Sequence, residues 1–157
     1  MPTEFLERLV WDQDDIEHMS WRECRIFAMA IQSDTFEVIF DAEYIYEAID
    51  PEVTGQPFKI RRAPVTIVFE NVRGLEFDFS YLETNISSLE RLELDTDKAR
   101  GMDRSVLFEW YFNCYSGNIS VLATGFKVFV RKPPKLDSYR TLEERGGISF
   151  ERSFTEC

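Results

Sequence analysis

The sequence predicts a mainly-β chain: a single-domain antiparallel sandwich or barrel-like meander of about seven strands, with a short N-terminal helix and a C-terminal tail. Three observations carry this. Between Arg25 and Val130 apolar and polar residues alternate with a period of two, the pattern of a sheet with one greasy face. Clusters such as Asn71-Val72-Arg73-Gly74 and Ser116-Gly117-Asn118 punctuate that pattern at short intervals. No helical pattern separates the strands, which argues against a parallel α/β sheet. The chain has 157 residues, 44% of them hydrophobic. A domain of that size buries about 70% of its unfolded surface, enough for a core without disulfides or metal.

The elements follow in order. Thr3 to Val10 reads as a helix, with Thr3 as cap, Glu4 and Glu7 in its first turn, and Phe5, Leu6, Leu9 and Val10 on one face. The polar stretch Asp12 to Ser20 reads as a surface loop. Arg25 to Ile31 and Phe36 to Tyr46 read as two strands of a hairpin around Ser33-Asp34. Phe58 to Phe69 is a third strand, in which Pro64 implies an edge position, a bulge or a break. Leu75, Phe77 and Phe79 alternate with Glu76, Asp78 and Ser80, so that one face is buried and the other wet. Ile86 to Leu94 is a weaker strand, and Asp95 to Arg104 a polar loop. Then Val106, Phe108, Trp110, Phe112 and Cys114 share one face of a strand, with Leu107, Glu109, Tyr111, Asn113 and Tyr115 on the other. Ile119 to Val130 reads as one long final strand with Gly125 as a bulge or point of close approach. Pro133-Pro134 ends the ladder. This divides the chain into a mainly-β domain over 1–134 and a tail over 135–157. In the tail, Ser138 is expected to cap a turn or two of helix running to Arg145. Ile148, Phe150 and Phe154 are expected to dock on the domain or to join copies of the chain into a homo-oligomer.

Charge is unevenly spread. The formal net charge is −11, and residues 1–50 alone carry 13 acids against 3 bases. A surface of that sign repels phosphate backbones, which excludes nucleic acid as the expected partner. Arg61-Arg62 and Arg131-Lys132 are too few basic pairs to reverse that. The same field steers a basic protein toward the chain, and Asp12, Asp14, Asp15 and Glu17 are the partner-binding candidates. An immunity- or inhibitor-like role against a cationic protein suits this design. Net negative charge also keeps a bacterial-type cytosolic protein in solution.

No apolar run reaches the ~18 residues that span a membrane. The N-terminus lacks the basic and apolar regions of a signal peptide, so a soluble, cytoplasmic protein is expected. Cys24, Cys114 and Cys157 are odd in number and widely spaced, which fits neither a zinc site nor a disulfide framework.

The sequence holds no recognisable catalytic constellation, and an enzyme is the less favoured reading. His18 is the only histidine and lies among acids, with no G-x-S-x-G elbow in the chain. An EF-hand loop starting at Asp12 fails, because Glu17 stands where glycine is required. No Gly-rich phosphate loop occurs, and no cofactor or metal is expected. The alternative to a protein partner is a small-ligand or enzyme pocket with Glu109, Tyr111 and Tyr115 as its polar-aromatic lining.

Two segments carry a resemblance. One is Pro64-Val65-Thr66-Ile67-Val68-Phe69-Glu70-Asn71-Val72, followed by Leu75-Glu76-Phe77-Asp78. The other is Gly117-Asn118-Ile119-Ser120 with Ala123-Thr124-Gly125-Phe126 and Arg131. Together with Trp11-Asp12 they resemble a family of small bacterial proteins of uncharacterised function. The resemblance spans roughly residues 11–134 and implies a compact β domain; it implies no activity and no site residues.

Overall fold

The computed structural model describes residues 8–94 and 107–156. In chain order its strands are β1 (Val10–Asp12), β2 (Ile26–Gln32), β3 (Glu37–Ile49), β4 (Lys59–Glu70), β5 (Gly74–Phe79), β6 (Ile86–Glu93), β7 (Phe108–Cys114), β8 (Gly117–Ala123), β9 (Gly125–Val130) and β10 (Lys135–Leu136). They form two antiparallel sheets. The larger has the order β1-β9-β4-β3-β2, with β10 also pairing to β4, and the smaller the order β5-β8-β7-β6. Neither sheet closes on itself, so of the two architectures expected, the sandwich is the one formed.

Seven expected strands become ten for identifiable reasons. The segment from Ile119 to Val130 is two strands, not one. β8 belongs to the small sheet and β9 to the large one, and the chain crosses between them at Thr124. Gly125 sits at that crossing, where a Cβ would lie 2.7 Å from the Glu70 carboxylate. It marks close approach rather than a bulge. The other additions are β1 and β10, too short for periodicity to reveal.

The N-terminal helix expected over residues 3–10 is corrected at its described end. Val10 opposes Phe129 as the first residue of β1, because the β9 edge offers it a ladder. Arg8 and Leu9 before it are not helical either, and the Leu9 carbonyl accepts from the Val130 N–H. Residues 3–7 of that helix fall outside the described residues, as do the loop at Asp95–Arg104 and Cys157. The surface loop expected after Trp11 is a 3-10 helix over Gln13–His18. In the C-terminal segment, Thr141 rather than Ser138 caps the short helix α1 (Leu142–Arg145), its side chain accepting the Glu144 N–H. α1 ends at Gly146, whose φ of 86° is the left-handed conformation that glycine adopts without strain.

Pro64 lies inside continuous β4, and its neighbours explain how. Its carbonyl accepts from Arg131 N–H just beyond β9, so its backbone nitrogen also faces that side. There β9 pairs only from Val65 onward and β10 only with Arg61 and Arg62. The missing N–H therefore falls in the gap between two successive partners.

The core lies between the sheets. Phe69 of β4 is central, with its ring centroid 5.8 Å from Phe40, 5.9 Å from Phe112, 5.7 Å from Trp110 and 5.4 Å from Phe126. Trp110 stacks on Phe126 at 4.8 Å and donates its indole N–H to the Ala123 carbonyl. A second cluster packs Trp11, Trp21 and Tyr46 around Tyr44, edge to face. The clean burial expected along β5 is not observed. Leu75 and Phe79 reach the core, but Phe77 is 48% exposed because β5 is an edge strand.

The large sheet is covered on both faces. Residues Val38 to Tyr44 of β3 are all buried, although alternate side chains point away from the core. The segment after β10 crosses that outer face. Thr66 Oγ1 donates to the Glu151 carbonyl at 2.6 Å, and Thr155 N–H donates to the Arg131 carbonyl. Beneath it lies a buried ionic cluster. Asp41 accepts from Arg131 at 2.9 Å, from Arg145 and from the Ser149 backbone N–H at 3.0 Å. Arg145 also stacks on Phe27 at 3.9 Å.

Candidate functional site

The small sheet treats its outer face differently. Three cross-strand rows lie side by side on it: Gly74-Leu122-Glu109-Leu92, Glu76-Ser120-Tyr111-Glu90 and Asp78-Asn118-Asn113-Ser88. The alternation that sends Trp110 and Phe112 inward sends Glu109, Tyr111 and Asn113 outward. These rows hold four carboxylates and no lysine or arginine. Glu76, Asp78 and Glu90 are exposed, and Glu109 is half-buried. Glu76 and Glu90 stand at opposite edges, about 14 Å apart at the usual strand spacing and beyond a Debye length. The face thus carries a negative field at little internal cost.

Side-chain bonds order its middle. Ser120 Oγ donates to Glu109 at 2.9 Å. Asn113 Nδ2 donates to Ser88 Oγ at 2.9 Å and to Glu90 at 3.3 Å. An open groove of about 650 Å³ is lined by Glu90, Arg91, Leu92, Glu109 and Tyr111. A smaller one of about 300 Å³ lies on the other side of Glu109, against Glu76, Ser120 and Leu122.

Arg91 points the other way and fixes the end of β6. Its guanidinium lies over the rings of Phe108 and Trp110, at 4.7 and 5.7 Å, and donates to the Gln13 carbonyl at 2.8 Å. It also lines a groove of about 640 Å³ at that end of the sandwich, with Asp12, Asp14, Glu70, Asn71, Thr124 and Lys127. Arg91 is a shared wall, so the N-terminal acidic turn and the acidic sheet face meet along one side of the molecule.

Each residue singled out in the sequence has a definite place. Asp12 caps the 3-10 helix, and Asp15 closes the capping box by accepting the Asp12 N–H at 2.9 Å. Asp15 also pairs with Arg8 at 2.8 Å, and that guanidinium holds its carboxyl below the usual range. Asp14 lies in the end groove. Glu17 and His18 are in the last turn of the same helix. Glu109 and Tyr111 share the larger groove; Tyr115 stands apart from it, exposed, its hydroxyl donating to Glu23. Among the described residues no group of His, Cys, Asp or Glu is arranged to hold a metal ion.

Sequence reasoning missed Glu90 and Arg91, and the signal was there. In Ser88-Leu89-Glu90-Arg91-Leu92 the period-two pattern places Glu90 opposite Tyr111 once β6 and β7 are paired. It also missed Asp41, Arg131 and Arg145, which lie 90 and 104 residues apart in pairs and meet only through the fold.

Fold and site together define an antiparallel β-sandwich with one face sealed and one face open and acidic. Comparison with protein-family models, with curated proteins and with solved structures finds no match. The functional reading therefore rests on geometry and charge.

Proposed function

We propose that this chain is a binding protein that engages a basic protein partner, with no chemistry of its own. The observation that carries the reading is the outer face of β5-β8-β7-β6, with four carboxylates and no base in its rows. The acids of the first turn, Asp12 and Asp14, extend the same negative surface past Arg91. Tyr111 and Leu92 between the carboxylates offer the apolar stems of lysine and arginine somewhere to lie. An inhibitor- or immunity-like protein uses such a surface to capture a cationic target quickly.

The test is affinity capture at low and high salt, with the wild-type chain and a Glu76→Lys/Glu90→Lys variant. The reading expects a basic protein held by the wild type, weakened by salt and lost with the variant. Equal capture by both proteins, independent of ionic strength, overturns it. A second reading follows from the groove of about 650 Å³ beside Glu109 and Tyr111, which has the size of a small-ligand site. Its occupant would be a small amine, and calorimetry with polyamines distinguishes it.

A further inference from the structure

The C-terminal segment lies on the outer face of the large sheet in the manner of a bound peptide. After α1 its described residues form no strand with the sheet. Side chains of the sheet hold its main chain instead. Asp41 accepts the Ser149 N–H at 3.0 Å, Arg131 donates to the Ser149 carbonyl at 3.0 Å, and Thr66 Oγ1 donates to the Glu151 carbonyl. Two arginines add side-chain anchors. Arg145 is enclosed, its guanidinium against Asp41, the Ala42 carbonyl and the Phe27 ring. Arg152, further along, pairs with Glu37 and lies over the Phe129 ring. A planar cation bonded at its edge and stacked on its face distinguishes arginine from lysine. The segment also covers Ile39 and Val68, which lie outside the core between the sheets yet are 1% and 0% exposed.

Two features mark this occupant as replaceable. Arg145 Nε and Nη1 are buried and find no acceptor, so the tethered arginine satisfies the site incompletely. At the base of the segment Asp137 and Tyr139 hold left-handed φ values of 54° and 61°. A bulky side chain keeps that conformation only where its surroundings impose it. An arginine arriving on another chain carries no such constraint.

We propose that the outer face of the large sheet is a recognition site for an extended, arginine-bearing segment of a partner protein, which the chain's own C-terminal segment occupies as a built-in competitor. Binding requires release of that segment, so the affinity a partner experiences is the intrinsic one reduced by the open fraction. Residues 141–156 carry four acids and two arginines. The acidic face of the small sheet repels a ligand of that net charge, so this site stands independently of the proposed function and is tested apart from it.

The probe is a fluorescent synthetic peptide of residues 141–156, and the receptor is the full chain. Arg145→Glu in the chain sets a carboxylate against Asp41 and vacates the face. Loss of exchange protection at Thr155, whose N–H bonds the Arg131 carbonyl in the closed chain, verifies the release. Fluorescence anisotropy is expected to show saturable binding to this variant, at least about tenfold tighter than to the wild type, where the tethered segment competes. Changing the peptide's Arg145 to methionine, or adding Asp41→Ala to the chain, should abolish it. A second measurement uses the wild type alone: excess unlabelled peptide should move the Ser149 and Thr155 amide resonances of the isotope-labelled chain to unfolded positions. Absence of both effects at about 1 mM peptide overturns the proposal. So does binding that survives the loss of Asp41, or binding that disappears with Glu76→Lys/Glu90→Lys on the other sheet.

Discussion

Replacing Asp41 with alanine removes the carboxylate on which two guanidiniums converge. Asp41 is fully buried, as is the Arg145 side chain, and the Arg131 side chain is 7% exposed. Arg131 would keep bonds to the Val65 carbonyl, Thr66 Oγ1 and the Ser149 carbonyl. Arg145 would keep the Ala42 carbonyl at 3.3 Å and the Phe27 ring, and its Nε and Nη1 already lack partners. Breaking a buried pair from the carboxylate side costs about 3–5 kcal/mol, because the cation left behind stays desolvated. That is a large part of the 5–15 kcal/mol typical of a domain. The chain has an escape: releasing α1 and the following residues lets Arg145 reach water, and the cost is then capped at that segment's docking energy. Urea unfolding of Asp41→Ala should show a midpoint lowered by the equivalent of about 3 kcal/mol or more. Hydrogen exchange should show protection lost at Arg145, Gly147 and Thr155 while β7 and β8 keep theirs. Adding Arg145→Met should recover part of the loss, since it removes the stranded charge. A single variant costing under about 1 kcal/mol with the segment's protection intact would refute the ionic latch.

Glu43 gives the pH counterpart. Burial pushes its carboxyl above the ordinary value of 4.5, against the pull of Arg62 and Arg145. A raised carboxyl favours the fold while protonated and loses that contribution as pH rises through its folded value. The stability of the wild type relative to Glu43→Gln should therefore fall as pH climbs above 4.5; a pH-independent difference counts against it. Gly117→Ala should destabilise by about 1–3 kcal/mol, because a Cβ there would lie 2.2 Å from the Asp78 carbonyl, which is backbone. Gly125→Ala should cost less in the same denaturation assay, since its closest contact, at 2.7 Å, is the movable carboxylate of Glu70, and the fixed Glu70 Cβ stands farther off at 3.1 Å. Burial pushes the Cys24 thiol up to about 12 and the Cys114 thiol up to about 11. Peptide-resolved alkylation at neutral pH should leave both unmodified until urea unfolds the chain; rapid native labelling of Cys24 would contradict its burial.

Period-two alternation was enough to read β2, β3, β4, β5, β6 and β7 to within a few residues, because each has one face against a core. It failed where another constraint decided the outcome. Along Ile119 to Val130 the apolar rhythm continues through Thr124, since β8 and β9 both face the same core from opposite sheets. Only the close packing at Gly125 marks the change of sheet. In β3 the rhythm is obscured because Ile39 is as buried as Phe40, and nothing local tells that a segment a hundred residues later covers it. The same long range hid Asp41, which in sequence is one more acid in an acid-rich third. Glu109 and Tyr111 were legible as the polar face of a strand, but the carboxylates beside them come from β5 and β6 and needed the strand order.

The two outer faces show where the excess negative charge can act. On the large sheet, acids and bases are paired under a covering segment: Asp41 with Arg131 and Arg145, Glu43 with Arg62 at 3.7 Å, and Glu37 with Arg152 at 3.0 Å. Those charges are spent within the fold and send little field outward. On the small sheet the carboxylates face water with no base in their rows, so their field extends into solvent until salt screens it. A net charge of −11 therefore overstates the acidity of one side and understates that of the other. A partner steered by this field would arrive at Glu76, Glu90 and Glu109, not at the more acidic stretch of sequence that folds into the β3 latch. Charge reversal at Glu90 should slow association with such a partner more than it speeds release, whereas reversal at Glu37 should change stability and leave the association rate alone. Stopped-flow kinetics across a salt series separates the two, and equal effects on association would place the contact elsewhere.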